Sequence, residues 1–183
     1  MRRRAAWLLV LPLLLGGCGD RSLILTVDVL SFLSPSDVSQ GYSIPGGFAA
    51  DTLDVASESV NLLPGVQDVT EVMSATLKIG ASFANQTGTA SGALLIYIAS
   101  ADSTDPFTTA PIASLPVVLT PNNVTNVSTE VTSIALAQAM VHDSARIGVR
   151  VTFDTTATPP LQLVTGTETI TQLLATVITK KKL

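Results

Sequence analysis

Cysteine, histidine, aromatic residues and charge are all scarce in this chain of 183 residues. It contains one cysteine and one histidine, and only 4% of its residues are aromatic and 13% charged. A single thiol cannot form a disulfide within the chain or complete a thiolate metal site. The fold must therefore be stabilised by an apolar core, which a content of 46% hydrophobic residues permits.

Basic residues are too few for one large class of functions. The formal net charge is −4, so the chain lacks the positive surface that nucleic-acid binding requires, and we expect no nucleic-acid partner. Val, Ile and Thr dominate over the strong helix formers Glu and Lys. This balance favours strands over helices.

The N-terminus has a distinct layout. A basic start at residues 2–4 is followed by an apolar run from Ala5 to Leu15 and then by small residues. This order is typical of a secretory signal peptide. The apolar run of 11 residues is too short to cross a hydrocarbon core of about 30 Å as a helix. The segment is therefore predicted to direct export rather than to span a membrane.

The single cysteine stands directly behind this run. The sequence Leu15-Gly16-Gly17-Cys18 resembles the lipobox of bacterial lipoproteins. The resemblance implies cleavage before Cys18 and acylation of its thiol, so that a covalent lipid attaches the protein to a membrane. It also implies a location in the cell envelope, on the inner or the outer membrane, with the folded part outside the cytoplasm.

The resemblance divides the chain into three parts. Residues 1–17 are the signal peptide, residues 18–22 are a lipidated N-terminus with a short tether, and residues 23–183 are expected to form one β-sandwich domain. Cleavage leaves 183 less 17, or 166 residues, a common size for one domain. It removes the three arginines of residues 2–4, so the formal net charge changes from −4 to −7.

Alternation of apolar and polar residues predicts antiparallel strands. It is clearest from Met73 to Phe83 and from Arg146 to Asp154, where every second residue is apolar. Pro116 favours an edge position for its strand, because proline cannot donate to a neighbouring strand. Further strands are predicted at Leu23–Leu30, Ala93–Ala99, Ile112–Leu119, 161–165 and 168–179; the last also has helical spacing, but its β-branched residues favour a strand.

The connections complete the predicted architecture. The glycines and prolines of Ser31–Ala50 indicate a long loop, and Asn85–Gly92 is predicted to join two strands into a hairpin. Apolar spacing between Thr132 and His142 predicts a helix, which Thr132 or Ser133 would cap. We therefore predict an all-β fold, an antiparallel β-sandwich of immunoglobulin-like or jelly-roll type, with one short helix near 132–142.

Few residues are candidates for chemistry. His142, Asp143 and Ser144 are the residue types of a catalytic triad, but adjacent residues cannot converge on one another, so they are interpreted as the polar end of the helix. Asp102 and Asp105 are weak candidates for Ca²⁺, because the segment lacks the glycine and glutamate of an EF-hand loop and is typical of a turn. We therefore expect no catalytic residues, no metal and no cofactor.

Two functions are compatible with this pattern. The first is a structural or interaction role in the cell envelope, with a possible envelope protein as partner. The alternative is a module that binds a glycan or another small molecule through the loops Ser31–Ala50 and Ala99–Pro111, where Tyr42 is the one ring expected to be exposed. A hydrolase is a more distant hypothesis, because it would require scattered acids to meet in one pocket: Asp51, Asp54, Glu58 and Glu71.

Overall fold

The chain folds as two antiparallel sheets packed face to face. A computed structural model describes residues 21–49, 51–56, 69–100, 102–133, 136–137 and 145–181. The predicted signal peptide, Cys18 and residues 138–144 lie outside this part of the chain. Within it the strands are β1 (Arg21–Asp28), β2 (Ser39–Pro45), β3 (Asp51–Ala56), β4 (Val69–Thr87), β5 (Ala90–Ser100), β6 (Ala113–Leu119), β7 (Asn123–Thr132), β8 (Ala145–Asp154) and β9 (Leu163–Lys181); the helical turns are α1 (Pro35–Val38) and the 3-10 helices Val29–Phe32 and Pro106–Thr108.

Strand β9 organises the larger sheet. Along one edge it pairs with β4, and β7 lies beyond β4. Along its other edge β2 pairs with residues 163–169 and β1 pairs with residues 174–181. Since a strand rises by about 3.3 Å per residue, β9 is roughly 60 Å long. The smaller sheet has the order β3-β8-β5-β6, and the fold class predicted from the sequence is confirmed.

The core lies between the sheets and follows the predicted alternation. On β4 the side chains of Leu77, Ile79 and Phe83 are at most 1% exposed. On β8 the alternate residues have the same environment, so that β8 presents one apolar face to the larger sheet. The inward residues of β8 that the alternation predicted are all buried: Ile147, Val149, Val151 and Phe153.

The prediction of one long loop over Ser31–Ala50 is wrong. This segment contains α1 and then strand β2, which pairs with the first residues of β9. Tyr42 and Ile44 are buried whereas Ser43 and Pro45 are exposed. The glycine and proline content hid this alternation. Such residues are tolerated here because β2 pairs on one side only, so a missing N–H breaks no second ladder.

The prediction that β4 and β5 form a hairpin is also wrong. Only Gly88 and Thr89 separate the two strands, yet β4 belongs to the larger sheet and β5 to the smaller one. Gly88 has φ +70°, and the Asn85 side-chain amide donates to its carbonyl at 2.8 Å. This turn takes the chain from one layer to the other, so the apolar faces of the two strands meet across the core.

Two local predictions agree with the structure where it describes them. Pro116 lies on β6, which is the edge strand of the smaller sheet. Ser133 caps a helical turn, because its hydroxyl accepts from the Leu136 N–H at 3.4 Å and its carbonyl from the Ala137 N–H at 3.1 Å. Leu136 is fully buried. Most of the predicted helix 132–142 lies outside the described residues.

The closing segment is a strand, as predicted, but a longer one. The segments 161–165 and 168–179 are joined in the single strand β9, which begins at Leu163. Its inward residues are buried and include Ile170, Leu173 and Val177. Because β9 has neighbours on both edges, backbone pairing and burial together favour the strand over the helix that the spacing also allowed. No helix in the described ranges has the length and apolar character needed to cross a bilayer.

The outer face of the larger sheet carries a row of threonines. Four threonines lie side by side across β7, β4, β9 and β1: Thr132, Thr76, Thr176 and Thr26. The outer two pairs in this row share hydroxyl hydrogen bonds, at 3.0 Å between β7 and β4 and at 3.3 Å between β9 and β1. Such cross-strand pairs each contribute about 0.2–1 kcal/mol. These threonines therefore stabilise strand pairing on the solvated face of the sheet.

Two phenylalanines provide a matched test of this arrangement. Phe83 is fully buried between the sheets, whereas Phe48 is 57% exposed. We expect Phe83→Ala to lower the free energy of unfolding by about 3–5 kcal/mol, because it leaves a cavity in the core. Phe48→Ala should change it by no more than about 0.5 kcal/mol. Urea unfolding of both variants measures the difference, and equal losses would contradict the assigned core.

Candidate functional site

Three loops meet at the end of the sandwich where β9 begins. Thr155, which is fully buried, connects two of them. Its hydroxyl donates to the Pro45 carbonyl at 2.7 Å, and its backbone N–H donates to the Phe48 carbonyl at 2.9 Å. In return the Phe48 N–H donates to the Thr155 hydroxyl at 3.2 Å. The loop after β2 is thereby fixed to the loop after β8.

A second buried threonine connects the third loop. The Thr158 hydroxyl donates to the Thr89 carbonyl and accepts from the Thr89 N–H, both at 2.7 Å. Gly46 in the loop after β2 makes a further connection, because its N–H donates to the Gln162 carbonyl at 2.8 Å. A Cβ on Gly46 would lie 2.5 Å from the Pro159 carbonyl oxygen, so the close approach of these loops requires glycine. The loops form a rigid platform rather than separate segments.

This platform presents an apolar surface to solvent. We call Phe48, Leu161 and Leu163 the apolar tip; their exposed fractions are 57%, 101% and 48%. Phe48 belongs to the loop after β2, Leu161 to the turn before β9, and Leu163 is the first residue of β9. Exposed apolar side chains carried on loops at one end of a fold are candidates for a contact surface.

Leu161 is exposed at the cost of backbone strain. The Gln162 N–H donates to the Pro159 carbonyl at 3.2 Å, which closes a β-turn with Pro160 and Leu161 at its centre. Leu161 has φ +71°, and a positive φ after proline identifies a type II turn, whose third residue is normally glycine. A leucine in this conformation costs roughly 1–2 kcal/mol. Strain of this kind at an exposed apolar residue points to a function of the side chain.

Tyr42 is not the exposed ring that the sequence predicted. It is 6% exposed, its ring lies 5.4 Å from that of Phe153, and its hydroxyl donates to the Asn85 side-chain carbonyl at 3.2 Å. A Cβ on Gly166 would clash with the Tyr42 hydroxyl oxygen, so this glycine makes room for the phenol. Since β2 is a strand and not a loop, its alternation turns Tyr42 into the core.

A carboxyl group is buried beside this tyrosine. Glu168 is 3% exposed, and neither of its carboxyl oxygens has a hydrogen-bond partner. Burial raises the pKa of Glu168 to about 7. Burial also raises the pKa of Tyr42 to about 12, and the nearby Glu168 carboxyl adds to this shift. The two groups are enclosed within the sandwich, so they do not form an accessible acid–base pair.

The outer face of the smaller sheet has a charged and aromatic cluster. Arg150 on β8 forms two hydrogen bonds with Asp54 on β3, at 2.6 and 2.7 Å. Its guanidinium lies 4.3 Å from the ring centre of Phe107, which packs edge-on against Tyr97 at 5.2 Å. The hydrogen bonds with Asp54 raise the pKa of Arg150 further above its ordinary value. Arg150 thus covers the Phe107 ring, which is not a free platform for a sugar.

The weak metal candidates have local structural roles or are solvated. The Asp105 carboxylate accepts from the Phe107 N–H at 2.8 Å and caps the 3-10 helix, and Asp102 is exposed. Among the described residues no group of three His, Cys, Asp or Glu side chains could hold a metal ion. Of the acids named for a hydrolase, Asp54 is paired with Arg150 and Glu58 lies outside the described residues. His142, Asp143, Ser144, Cys18 and the lipobox residues Leu15, Gly16 and Gly17 also lie outside them.

An open depression lies on the outer face of the larger sheet. Its volume is about 280 Å³, which is below the 300–1,000 Å³ of typical ligand pockets. Lys78 and Glu130, which form an ion pair at 3.4 Å, line it together with polar residues. Both partners are half-exposed, so the depression is a solvated surface feature.

Sequence reasoning did not identify the residues that shape this end of the sandwich. The alternation of Val164, Gly166, Glu168 and Ile170 was a signal that Glu168 shares a face with buried residues. The sequence Pro159-Pro160 indicated a break in the chain but not the type of turn. Nothing in the sequence distinguished the buried Thr155 and Thr158 from the many exposed threonines.

Comparison with known proteins gives only distant structural similarities. No family model and no curated protein matches the chain. Similar solved structures include infectious bursal disease virus of the Gx strain, at a TM-score of 0.47 and 10% identity over 88% of this chain and 36% of the viral chain. The VP2 subviral particle of that virus gives 0.41 and 10% over 89% and 37%; Eiger TNF from S. frugiperda gives 0.24 and 8% over 77% and 92%. The chain spans little more than a third of the viral chains, and similarity at this level carries no argument about function.

The buried carboxyl group gives the fold a pH dependence. The ordinary pKa of Glu168 is 4.5 and its folded value is about 7, so the folded state binds the proton more tightly. The stability that this proton contributes is complete below pH 4.5 and is lost as the pH rises to about 7. The buried carboxyl should therefore lower the free energy of unfolding by on the order of 3 kcal/mol at pH 8 relative to pH 4.

Replacing this group by its neutral amide tests the effect. We expect Glu168→Gln to remove most of that cost, so that the variant gains stability over the unchanged protein at pH 8 but not at pH 4. Glu130→Gln, at a half-exposed glutamate that is paired with Lys78, is the control and should give no gain in stability at pH 8. Unfolding by urea at the two pH values provides the measurement. A Glu168→Gln variant with no pH-dependent gain would show that the carboxyl is not buried as described.

Proposed function

We propose that this chain is a lipid-anchored protein of the bacterial cell envelope whose β-sandwich has a structural or interaction role without catalysis. The anchor rests on the sequence, where Leu15-Gly16-Gly17 precedes the only cysteine, Cys18. The absence of catalysis is supported by the placement of the titratable groups. Glu168 is closed inside the core, and Arg150 is occupied by Asp54.

The observation that carries the interaction role is the apolar tip. An exposed leucine in a left-handed conformation is unfavourable for both solvation and backbone energy. Leu161 has both disadvantages, and Phe48 and Leu163 are further exposed apolar residues at this end. A protein partner that covers the tip would remove the solvation cost. The rigid loops beneath it would reduce the entropy lost on binding.

The position of the tip also suits this role. β9 begins at Leu163, a residue of the tip, and ends at Lys181, which pairs with Arg21 at the start of β1. Arg21 is three residues after Cys18. The tip therefore lies at one end of the larger sheet and Arg21 at the other, roughly 60 Å apart by the rise of 3.3 Å per strand residue. An anchored sandwich can present the tip away from its lipid.

The alternative role in ligand binding has lost its main support. It depended on Tyr42 as an exposed ring in a loop, and Tyr42 is buried on a strand. The loop Ala99–Pro111 provides Phe107, whose ring is covered by Arg150. The interaction role is therefore the better supported of the two.

The lipid anchor is tested by the mass of the native protein. We expect mass spectrometry of the protein extracted from membranes to give an N-terminus at Cys18 that carries a thioether-linked diacylglycerol. Cys18→Ser should abolish the lipid and cleavage before residue 18, whereas Ser22→Ala should leave both unchanged. An unmodified thiol on the native protein would refute the anchor.

The apolar tip is tested by site-specific crosslinking in intact cells. A photoreactive amino acid at Ala49, which is exposed beside Phe48, should give a discrete crosslinked product. We expect Leu161→Gly to reduce this product several-fold while raising the free energy of unfolding by about 1 kcal/mol, because glycine relieves the positive φ.

Two controls separate loss of contact from loss of fold. Asn122→Gly, at the other non-glycine residue with positive φ in the described part of the chain, should leave the crosslink unchanged. The same photoreactive group at Ser128, on the outer face of β7, should give no such product. Equal crosslinking from both positions, or an unchanged product in Leu161→Gly, would refute the contact role of the tip.

A further inference from the structure

A buried carboxyl group lies under the first residues of an edge strand. Glu168 on β9 is the Cα partner of Gln40 on β2 and of Phe83 on β4. Its side chain is 3% exposed, and neither carboxyl oxygen has a hydrogen-bond partner. A carboxylate in this position has lost its hydration without gaining a donor, which makes the charged form unfavourable. Glu168 can therefore ionise at low cost only where water reaches it.

The neighbouring groups do not compensate this charge. On β2 the titratable neighbour is Tyr42, which stays neutral because burial and the nearby Glu168 raise its pKa to about 12. On β4 the inward neighbours Phe83 and Asn85 do not ionise. The charged residues with described side chains on the surrounding elements face solvent, cap turns or lie on outer sheet faces: Asp28, Asp37, Asp54, Lys78, Glu130, Arg146, Arg150 and Asp154. None of the described cations pairs with the Glu168 carboxyl.

The segment that covers this carboxyl on the β2 side is weakly held. From Ser34 to Gly41 every residue is exposed or half-buried, and Tyr42 is the first buried residue of β2. The segment consists of α1, whose Val38 N–H donates to the Ser34 carbonyl at 3.0 Å, and the first three residues of β2. In the described chain β2 pairs with β9 alone. Segments with few buried apolar side chains and one-sided pairing open at a low free-energy cost.

The remaining surroundings of the carboxyl are held more firmly. β4 pairs with β9 and also with β7, so its displacement would break two ladders. Beyond Gly41, the side chains of Tyr42 and Ile44 are buried, and the Thr155 hydroxyl donates to the Pro45 carbonyl at 2.7 Å. These contacts fix the rest of β2. An opening at the start of the strand therefore need not extend beyond Gly41.

We propose that Ser34–Gly41 is a lid that opens when the Glu168 carboxyl loses its proton and closes when the proton returns. Opening admits water to the carboxylate and breaks the pairing of the first three residues of β2 with β9. It leaves β9 with an unpaired backbone edge at residues 167–169, where another strand can pair. The lid depends neither on the proposed lipid anchor nor on the apolar tip.

The direction of the pH dependence follows from the two states of the carboxyl. With the lid closed, burial raises the pKa of Glu168 from 4.5 to about 7, whereas the ordinary value applies once water reaches the group. The open form binds the proton less tightly. The open fraction therefore increases as the pH rises from 4.5 to about 7 and is constant above that. The two pKa values correspond to a change of about 300-fold in the opening equilibrium.

Hydrogen–deuterium exchange of the full-length protein tests the lid. Exchange is followed by mass spectrometry at pH 5 and pH 8 and is corrected for the intrinsic pH dependence of amide exchange. We expect the corrected rate of residues 34–41 to be several tens of times higher at pH 8 than at pH 5, because the carboxyl is then ionised. Residues 77–83 of β4, which pair on both sides, should exchange far more slowly than the lid at both pH values.

Two variants identify the carboxyl as the cause. Glu168→Gln should keep the lid closed, with the same slow corrected rate at pH 5 and pH 8. Glu130→Gln, at a half-exposed glutamate of β7, should retain the pH dependence of the unchanged protein. A lid rate that does not change with pH, or a pH dependence that persists in Glu168→Gln, would overturn the proposal. So would a lid rate equal to that of residues 77–83, because exchange would then occur by global unfolding.

Discussion

The pairing of β9 along both of its edges is the constraint on which the rest of the structure depends. β9 holds β4 on one side and both β1 and β2 on the other, so five strands share one ladder system. No disulfide supports this arrangement, since the chain has a single cysteine. Its stability comes from backbone pairing and from the apolar face that the larger sheet presents to the smaller one. The loops at both ends of the sandwich take their positions from this strand.

Because β9 is long and unbroken, the molecule has two ends with different chemistry. At Leu163 the loops are bound together by Thr155 and Thr158 and present apolar side chains. At Lys181 the register gathers positive charge next to Arg21. A short sandwich could not separate these surfaces. The proposed anchor and the proposed contact are therefore spatially independent, and variants at one end need not disturb the other.

The fold includes two features that lower its stability without serving the core. Glu168 is buried without a hydrogen-bond partner, and Leu161 has a left-handed backbone. Leu161 lies in the turn before β9, and Glu168 lies within the strand itself. Leu161 has an interpretation in the exposed tip, because its strain positions an apolar side chain outward. For Glu168 the structure shows that burial raises the pKa of the carboxyl. No hydrogen bond in the described part of the chain gives this carboxyl a role.

The sequence by itself determined the strands with clean alternation, such as Met73–Phe83, and the edge position of Pro116. It also determined the two-layer all-β class, since period-two patterns report which side of a strand is apolar. Only the tertiary structure decided which sheet each strand joins, because alternation does not distinguish a neighbour across the core from a neighbour along the sheet. For that reason β5 was misassigned beside β4. The burial of Tyr42 and the pairing of Arg21 with Lys181 likewise depend on how distant strands align with one another. No local sequence pattern encodes that alignment.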